Sequence, residues 1–250
     1  MPKYKRVLLK LSGEAIAKKD EAGQVKEIFD AEKVDEIAGI IKTMVDEGIE
    51  VGVVIGAGNI WRGVYGKGVR RARADQMGML GTMINCLRLE DAVEKTGTPV
   101  TVMSPIGMNS FAEPYDFRKA VEHMQEGKVV IFGAGLGIPY ISTDTAVVVR
   151  GAEIGADIIL MAKNVDGVYT ADPKKDPDAK RYKKISYRQC VDDDLHAIDE
   201  AASLLAEEQG IDSYAFSLAD PENILRVVHG EKVGTILTAK DAEAELYTED

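Results

Sequence analysis

Lys10 interrupts an apolar run, Val7-Leu8-Leu9-Lys10-Leu11, immediately before Ser12 and Gly13. The apolar residues around it read as a short strand buried on both faces that ends in a Ser-Gly turn. An ammonium group there must either reach solvent along its stem or meet an anion. Two readings follow from Lys10 alone: a lysine snorkelling at a strand end, or a lysine held where the strand stops and aimed at phosphate. Two further strands run into glycine, at Gly56-Ala57-Gly58-Asn59 and at Gly133-Ala134-Gly135-Leu136-Gly137. Glycine lets backbone N–H groups close around an anion, and a following helix N-terminus adds a favourable dipole. One such loop is explained as a tight turn; three at strand ends suit a ligand with several phosphates. Acidic candidates are Asp144 in "STDTA", explicable as a helix N-cap, and Asp166 and Asp172 in "NVDGVYTADP", explicable as turn residues.

The elements that must hold these residues alternate along the chain. After the first strand, "AEKVDEIAGIIKTMVDEG" sets Val34, Ile37, Ala38, Ile41, Met44 and Val45 at helical spacing and ends at Gly48. "IEVGVVIGAG" is a strand. A long helical pattern spans about Ala74 to Thr96, with Met77, Leu80, Ile84 and Leu87 on one face and Gly78 and Gly81 suited to close packing against another helix. "TPVTVMS", "KVVIFGAG" and "ADIILMA" read as strands, and "DFRKAVEHMQEG" and "TDTAVVVRGAEIG" as helices. "KNVDGVYTADPKKDPDAKRYKK" is too long for a bare connector and predicts an irregular functional loop or small hairpin. The C-terminal segment repeats the alternation: helix "HAIDEAASLLAEEQG", strand "DSYAFSL", helix "PENILRVVHG", strand "KVGTILT". This is an α/β pattern with a mainly parallel sheet, whose glycine-ended strands aim at one crevice.

Composition excludes several classes. The chain has 250 residues, 45% hydrophobic and 29% charged, as in ordinary globular proteins. No apolar run approaches the roughly 18 residues of a membrane span, and the N-terminus has too short an apolar segment for a signal peptide, so a cytoplasmic protein without a membrane partner is expected. Cys86 and Cys190 lack C-x-x-C spacing, and His123, His196 and His229 lack ligand-like spacing. A net charge of −11 argues against nucleic-acid binding. Within this acidic chain, Arg62, Lys67, Arg70, Arg71 and Arg73 form a basic run, either a solvated loop or a discrete anion site. Neither common nucleotide motif is present. The last glycine of G-x-G-x-x-G is replaced by Trp61 in one loop and Ile138 in the other, and no G-x-x-x-x-G-K-[ST] occurs.

In combination, "LLKLSGE", "VIGAGNIWRG", "ADQMGMLGTMIN", "GIPYISTDTA" and "VDGVYTADPKKDPDAKRY" follow one another in order and spacing. This series resembles the bacterial-type uridylate (UMP) kinases of the amino acid kinase superfamily, over essentially the whole chain. The resemblance implies a single domain over residues 1–250, a three-layer α/β sandwich with a central mostly parallel sheet between helices. It implies transfer of the ATP γ-phosphate to UMP in pyrimidine nucleotide biosynthesis, with Mg²⁺ accompanying ATP and no residue assigned as a metal ligand.

By the same resemblance Lys10 neutralises charge on the transferring phosphoryl group, and Leu11, Ser12 and Gly13 contribute to the ATP site. Arg62 reaches the phosphates of both nucleotides, against which Gly58 lies. Lys163, Tyr169 and Asp172 fall on the adenosine side. Asp75 holds the UMP ribose, and Ala57 and the segment Leu136, Gly137, Ile138, Pro139, Tyr140, Ile141, Ser142, Thr143 surround UMP. Asp144 orients the lysine or Mg²⁺, and Asp199 is a second functional aspartate. A homohexamer with GTP and UTP as effectors is also implied.

The sequence departs from the pattern in three places: Ala57 replaces a glycine, Leu136 and Ile138 replace a threonine and an asparagine, and Lys163 replaces a threonine. Leu136 and Ile138 have no side-chain hydrogen bonds to offer, so base reading falls to backbone groups of residues 135–139. Competing readings are a superfamily kinase of a small carboxylate or carbamate, and a non-catalytic nucleotide-binding or storage protein of the same fold.

Overall fold

The computed structural model describes residues 2–21, 23–61, 68–163, 165–173, 175–195, 198–240 and 242–247. The chain begins with β1 (Arg6–Leu11), a short hairpin of β2 (Lys18–Lys19) and β3 (Val25–Glu27), and α1 (Ala31–Asp46). There follow β4 (Glu50–Ile55), α2 (Arg71–Lys95), β5 (Val100–Ser104), β6 (Glu113–Pro114) and α3 (Phe117–Gln125). The next elements are β7 (Val129–Phe132), α4 (Thr143–Ile154), β8 (Ile158–Lys163), β9 (Tyr182–Ser186), α5 (Tyr187–Asp192) and α6 (Glu200–Gln209). β10 (Ser213–Ser217), α7 (Asn223–Val228), β11 (Thr235–Thr238) and β12 (Glu245–Leu246) complete the chain.

Ten strands form one sheet in the order β12-β9-β11-β10-β8-β1-β4-β7-β5-β6. Every pairing in it is parallel except β10 with β11 and β9 with β12. β1 lies between β4 and β8, so Lys10 sits level with Val54 on one side and Met161 on the other. One face of the sheet is covered by α1, α2 and α7 through Ile37, Ile41, Met83, Leu89 and Val228. The opposite face is covered by α3, α4, α5 and α6 through Met124, Val147, Val148, Tyr187 and Ala202. The expected three-layer α/β architecture is therefore present, with β1 at its centre.

Several local expectations are corrected. α2 begins at Arg71, three residues earlier than the apolar pattern suggested. It buries Met79, Met83, Cys86, Leu89 and Val93, whereas Met77, Leu80 and Ile84 are exposed. Both stripes are apolar at helical spacing, so periodicity could not say which one meets the sheet. Gly81 packs against Ala57 and Ile60 of the loop after β4, and Gly78 faces Trp61, so these glycines admit a loop rather than a helix. Asp144 is not the cap of α4: Ser142 holds that position, its oxygen accepting from the Thr145 N–H at 3.0 Å. The hairpin β2–β3 and the short α5 add to the expected elements and leave no periodic signature, since two- and three-residue strands and a six-residue helix carry too few positions for a period. The long polar stretch after β8 closes on itself through a bridge between Tyr169 and Arg181, then feeds β9.

Candidate active site

Alternation along β1 decides where Lys10 goes. Val7, Leu9 and Leu11 join the core beneath α1 and α2, so Leu8 and Lys10 face α4. At the strand's end Lys10 meets the first turn of α4, its Nζ 2.9 Å from Asp144 Oδ1, with the two side chains only 11% and 19% exposed. The lysine is neither snorkelling to bulk water nor buried without a counter-charge. Burial works against the Asp144 carboxylate, but Lys10, Lys163 and the Asp199 N–H outweigh it and hold its pKa below the ordinary value. Its place in the first turn adds the helix dipole in the same sense.

Asp199 caps α6, accepting from the Ala202 N–H at 2.8 Å. The same carboxylate also accepts from the hydroxyls of Ser142 and Thr145, so the N-termini of α4 and α6 are tied together beside Asp144.

Lys163 ends β8, two strands across from β4 and directly beside β1. It lines a cavity of about 440 Å³ with Asp144, Cys190 and Asp199. Burial, only partly offset by Asp144 and reinforced by Lys10, lowers its pKa to about 8. The sign of the pH effect follows. Below about 8 both folded and unfolded chains carry the ammonium, and the folded chain bears the cost of burying it. Between there and about 10.4 the unfolded chain keeps a proton that the folded one has released, so this group's contribution to stability rises with pH. In urea denaturation across that window, Lys163→Met is expected to reduce the rise in stability with pH seen in the native chain. An identical slope in both proteins would contradict the burial of a charged Lys163.

The first two glycine loops are bonded to each other. The Gly56 N–H donates to the Leu11 carbonyl at 3.0 Å, while the Leu11 side chain itself is fully buried in the core. Asn59 and Asn85 pair through both amides, at 2.8 and 3.0 Å, and Asn85 also donates to the Gly56 carbonyl at 2.7 Å. Asn85 is wholly buried on α2, so this network fixes the loop after β4 on the helix. The Ala57 methyl occupies the notch left by Gly81, which accommodates that departure from the family pattern.

A cavity of about 400 Å³ opens over these loops. Lys10, Ser12, Gly13, Ala57 and Gly58 line one side; Leu136, Ile138, Ile141, Ser142 and Thr143 line the other, with Asp75, Arg71 and Thr82 along α2. Asp75 accepts from Arg71 Nε at 2.9 Å and from the Tyr140 N–H at 2.9 Å, so it ties the third loop to α2. Among the described members of the basic run, Arg71, Arg70 and Arg73 are all exposed, and Arg71 is the one that lines the cavity. Gly137, packed on Pro105, and Pro139 and Tyr140 belong to the same loop but not to the cavity wall. Tyr169 and Asp172 line neither cavity. Tyr169 donates its hydroxyl to Asp166, which also pairs with Arg181 at 2.6 Å. Arg62, Lys67 and His196 lie outside the described residues.

Sequence reading gave no role to Thr82, whose hydroxyl donates to the Met79 carbonyl at 2.7 Å and accepts from the Ala134 N–H at 2.8 Å. The available signal was two polar residues three apart, Thr82 and Asn85, on the otherwise apolar buried face of α2. No helix among the described residues is long and apolar enough to cross a membrane.

Comparison with known proteins agrees with this arrangement. Residues 5–217 match the amino acid kinase family. The structure is similar to that of UMP kinase from Bacillus anthracis, with a TM-score of 0.91 and 42% identity over 99% of this chain and 100% of that one. It is similar to UMP kinase from Ureaplasma parvum, with a TM-score of 0.88 and 33% identity over 94% of this chain and 98% of the other. Uridylate kinase from Archaeoglobus fulgidus is similar at a TM-score of 0.70 and 28% identity, over 95% of this chain and 100% of that one. With the glycine-ended strands, the Lys10–Asp144 pair and the order of its motifs all in agreement, the chain belongs to the amino acid kinase family and, within it, to the bacterial-type UMP kinases.

Proposed function

We propose that this chain, as a single domain over residues 1–250, transfers the γ-phosphate of ATP to UMP, giving UDP and ADP. The observation that carries the reading is the shielded Lys10–Asp144 pair, placed where glycine loops from three strands meet one cavity. Phosphoryl transfer asks a protein chiefly for positioning and for fixed positive charge near the transferring group. Lys10 supplies that charge from a rigid strand end, and Asp144 keeps it in place. Ser12, Gly13 and Gly58 offer backbone and hydroxyl groups to the phosphates, with Arg62 as a second cation. Asp75 takes the acceptor ribose, exchanging its bond to the Tyr140 amide for ribose hydroxyls. Ala57 and residues 136–143 enclose UMP, and Asp199 steadies the N-terminus of α4. Leu11, Lys163, Tyr169 and Asp172 are assigned to the ATP side.

Mg²⁺ accompanies ATP in this reading. The carboxylates at the transfer site are Asp144 and Asp199, and no group of three or more metal-binding side chains occurs among the described residues. A donor set of that size fits an ion that keeps its waters and takes further ligands from phosphate. When bound, the ion neutralises charge on the β- and γ-phosphoryl oxygens.

The reading extends to a cytoplasmic enzyme of pyrimidine nucleotide biosynthesis. It extends also to a homohexamer responsive to GTP and UTP, for which the exposed apolar stripe of Met77, Leu80 and Ile84 on α2 gives support.

A coupled assay of ADP release tests the acceptor. With ATP and Mg²⁺, UMP is expected to sustain rapid turnover, and acetylglutamate and carbamate are not. UMP is also expected to outrun CMP, because uracil N3–H and O4 present a donor and an acceptor where cytosine reverses both, and each buried mismatch costs about 1–3 kcal/mol. ADP release with acetylglutamate but not UMP would overturn the assignment. Equal kcat/KM for UMP and CMP would widen it to pyrimidine monophosphates.

A further inference from the structure

Arg150 lies on α4 two turns beyond Asp144, is 4% exposed, and no step of the reaction uses it. Its guanidinium stacks on the ring of Tyr115, 3.5 Å from the centroid. Nη1 donates to Glu153 Oε2 at 2.7 Å, and the same carboxylate accepts from the Tyr115 hydroxyl. Tyr115 in turn meets Phe132 edge-on at 5.9 Å, and Phe132 is the last residue of β7, directly before the third glycine loop. With charge neutralised and plane fixed, Nη2 donates to the Gly135 carbonyl at 3.1 Å.

That carbonyl belongs to an unusual turn. Ala134 and Gly135 both have left-handed backbone, φ +56° and +57°, a conformation that an alanine rarely adopts unless its surroundings impose it. The surroundings here are two clamps: Thr82 of α2 takes the Ala134 N–H at 2.8 Å, and Arg150 of α4 takes the Gly135 carbonyl. The turn closes internally through the Gly137 N–H and the Ala134 carbonyl at 3.0 Å. Neither the Gly135 nor the Leu136 amide has an acceptor among the described residues, and both residues line the cavity. A turn held in this form presents two adjacent N–H groups to an acceptor molecule.

We propose that Arg150 is a positioning residue that holds the turn at Ala134 and Gly135 so that the backbone amides of Gly135 and Leu136 read the nucleotide receiving phosphate. The proposal rests on the phosphoryl-transfer reading above and deepens it. Because Leu136 and Ile138 have no polar side chains, selectivity for the base depends on this backbone, and hence on the arginine behind it. The donor nucleotide approaches from the β1 loop and is not touched by the clamp.

The test uses the full chain with Arg150→Met, which keeps much of the side-chain volume, and Arg150→Lys, which keeps a donor but not the planar fork. Arg150→Met is expected to raise KM for UMP by about tenfold while KM for ATP and kcat move less than about threefold, a pattern of lost acceptor binding. The preference for UMP over CMP should fall in the same variant, and Arg150→Lys should recover part of both. Thr82→Val, which releases the other clamp, should shift KM for UMP in the same direction, and with Arg150→Lys it carries the test where Arg150→Met fails to fold. An equal rise in both KM values, or lowered thermal stability with KM for UMP and base preference unchanged, would show a purely structural role and overturn the proposal. A native chain that does not phosphorylate UMP at all overturns the functional reading first, and this inference with it.

Discussion

Lys10→Ala is expected to lower kcat on the order of 10²-fold or more, the loss typical of removing one fixed electrostatic stabiliser. KM for ATP and UMP should change only a few-fold, because in the proposed mechanism the charge that Lys10 meets develops mainly in the transition state. The structure sharpens the expectation. Lys10 is held by a carboxylate at 2.9 Å and by strands on both sides, so little reorganisation is needed when the phosphoryl group arrives. Lys163 is near but lies beyond Asp144 in a different cavity, so it does not substitute for the lost ammonium. Steady-state kinetics on folded Lys10→Ala, with circular dichroism to verify the fold, make the measurement. Near-normal kcat would return Lys10 to the role of a lysine that merely balances Asp144.

The second large effect concerns Gly13. A Cβ there would fall 2.4 Å from the Gly56 carbonyl oxygen, 2.5 Å from Asn59 Oδ1 and 2.9 Å from the Gly58 nitrogen. Two of these neighbours are backbone and the third is locked in the Asn59–Asn85 network, so no flexible side-chain end exists to move aside. The loops after β1 and β4 must separate. Gly13→Ala is therefore expected to destabilise the chain by about 1–3 kcal/mol, the usual cost of overpacking. It should also weaken ATP binding, because the displaced groups are those proposed above to face the phosphates. Gly39 offers the contrast: it lies within α1 with nothing near its virtual Cβ. Gly39→Ala is expected to stabilise by roughly 0.5–1 kcal/mol through helix propensity alone. Paired urea titrations of the two variants make the comparison, and a Gly13→Ala midpoint at or above the native one would contradict the close approach of the loops.

Much of the architecture was legible in the residues. Runs such as Val7–Leu11 and Val129–Phe132 are apolar on both faces, which only a parallel sheet covered on both sides accommodates. Glycines at the ends of β4 and β7, and Ser12-Gly13 after β1, mark the loops that line the cavity. Lys10 stood out because a charge in a buried strand needs a partner. These are statements about local preference and about the cost of burying a charge, and a sequence carries both.

The identity of the partners is of another kind. Asp144 reaches Lys10 because β1 alternation turns that residue toward α4, and Lys163 joins them because β8 lies beside β1 although some 150 residues separate them in the chain. Which stripe of α2 faces the sheet was likewise decided by what covers it, since Met77-Leu80-Ile84 and Met79-Met83-Cys86 are equally apolar. Arg150 gave no signal in its own neighbourhood, "VVVRGAEIG", because its work depends on Tyr115 and Gly135 arriving from two other elements. The sequence by itself therefore determined the elements, their order and the loops that gather at one edge, all of which follow from short-range periodicity and turn chemistry. Only the tertiary structure decided which charges neutralise each other and which side chains hold those loops, because such pairings are set by strand adjacency and helix rotation across distances that no local pattern spans.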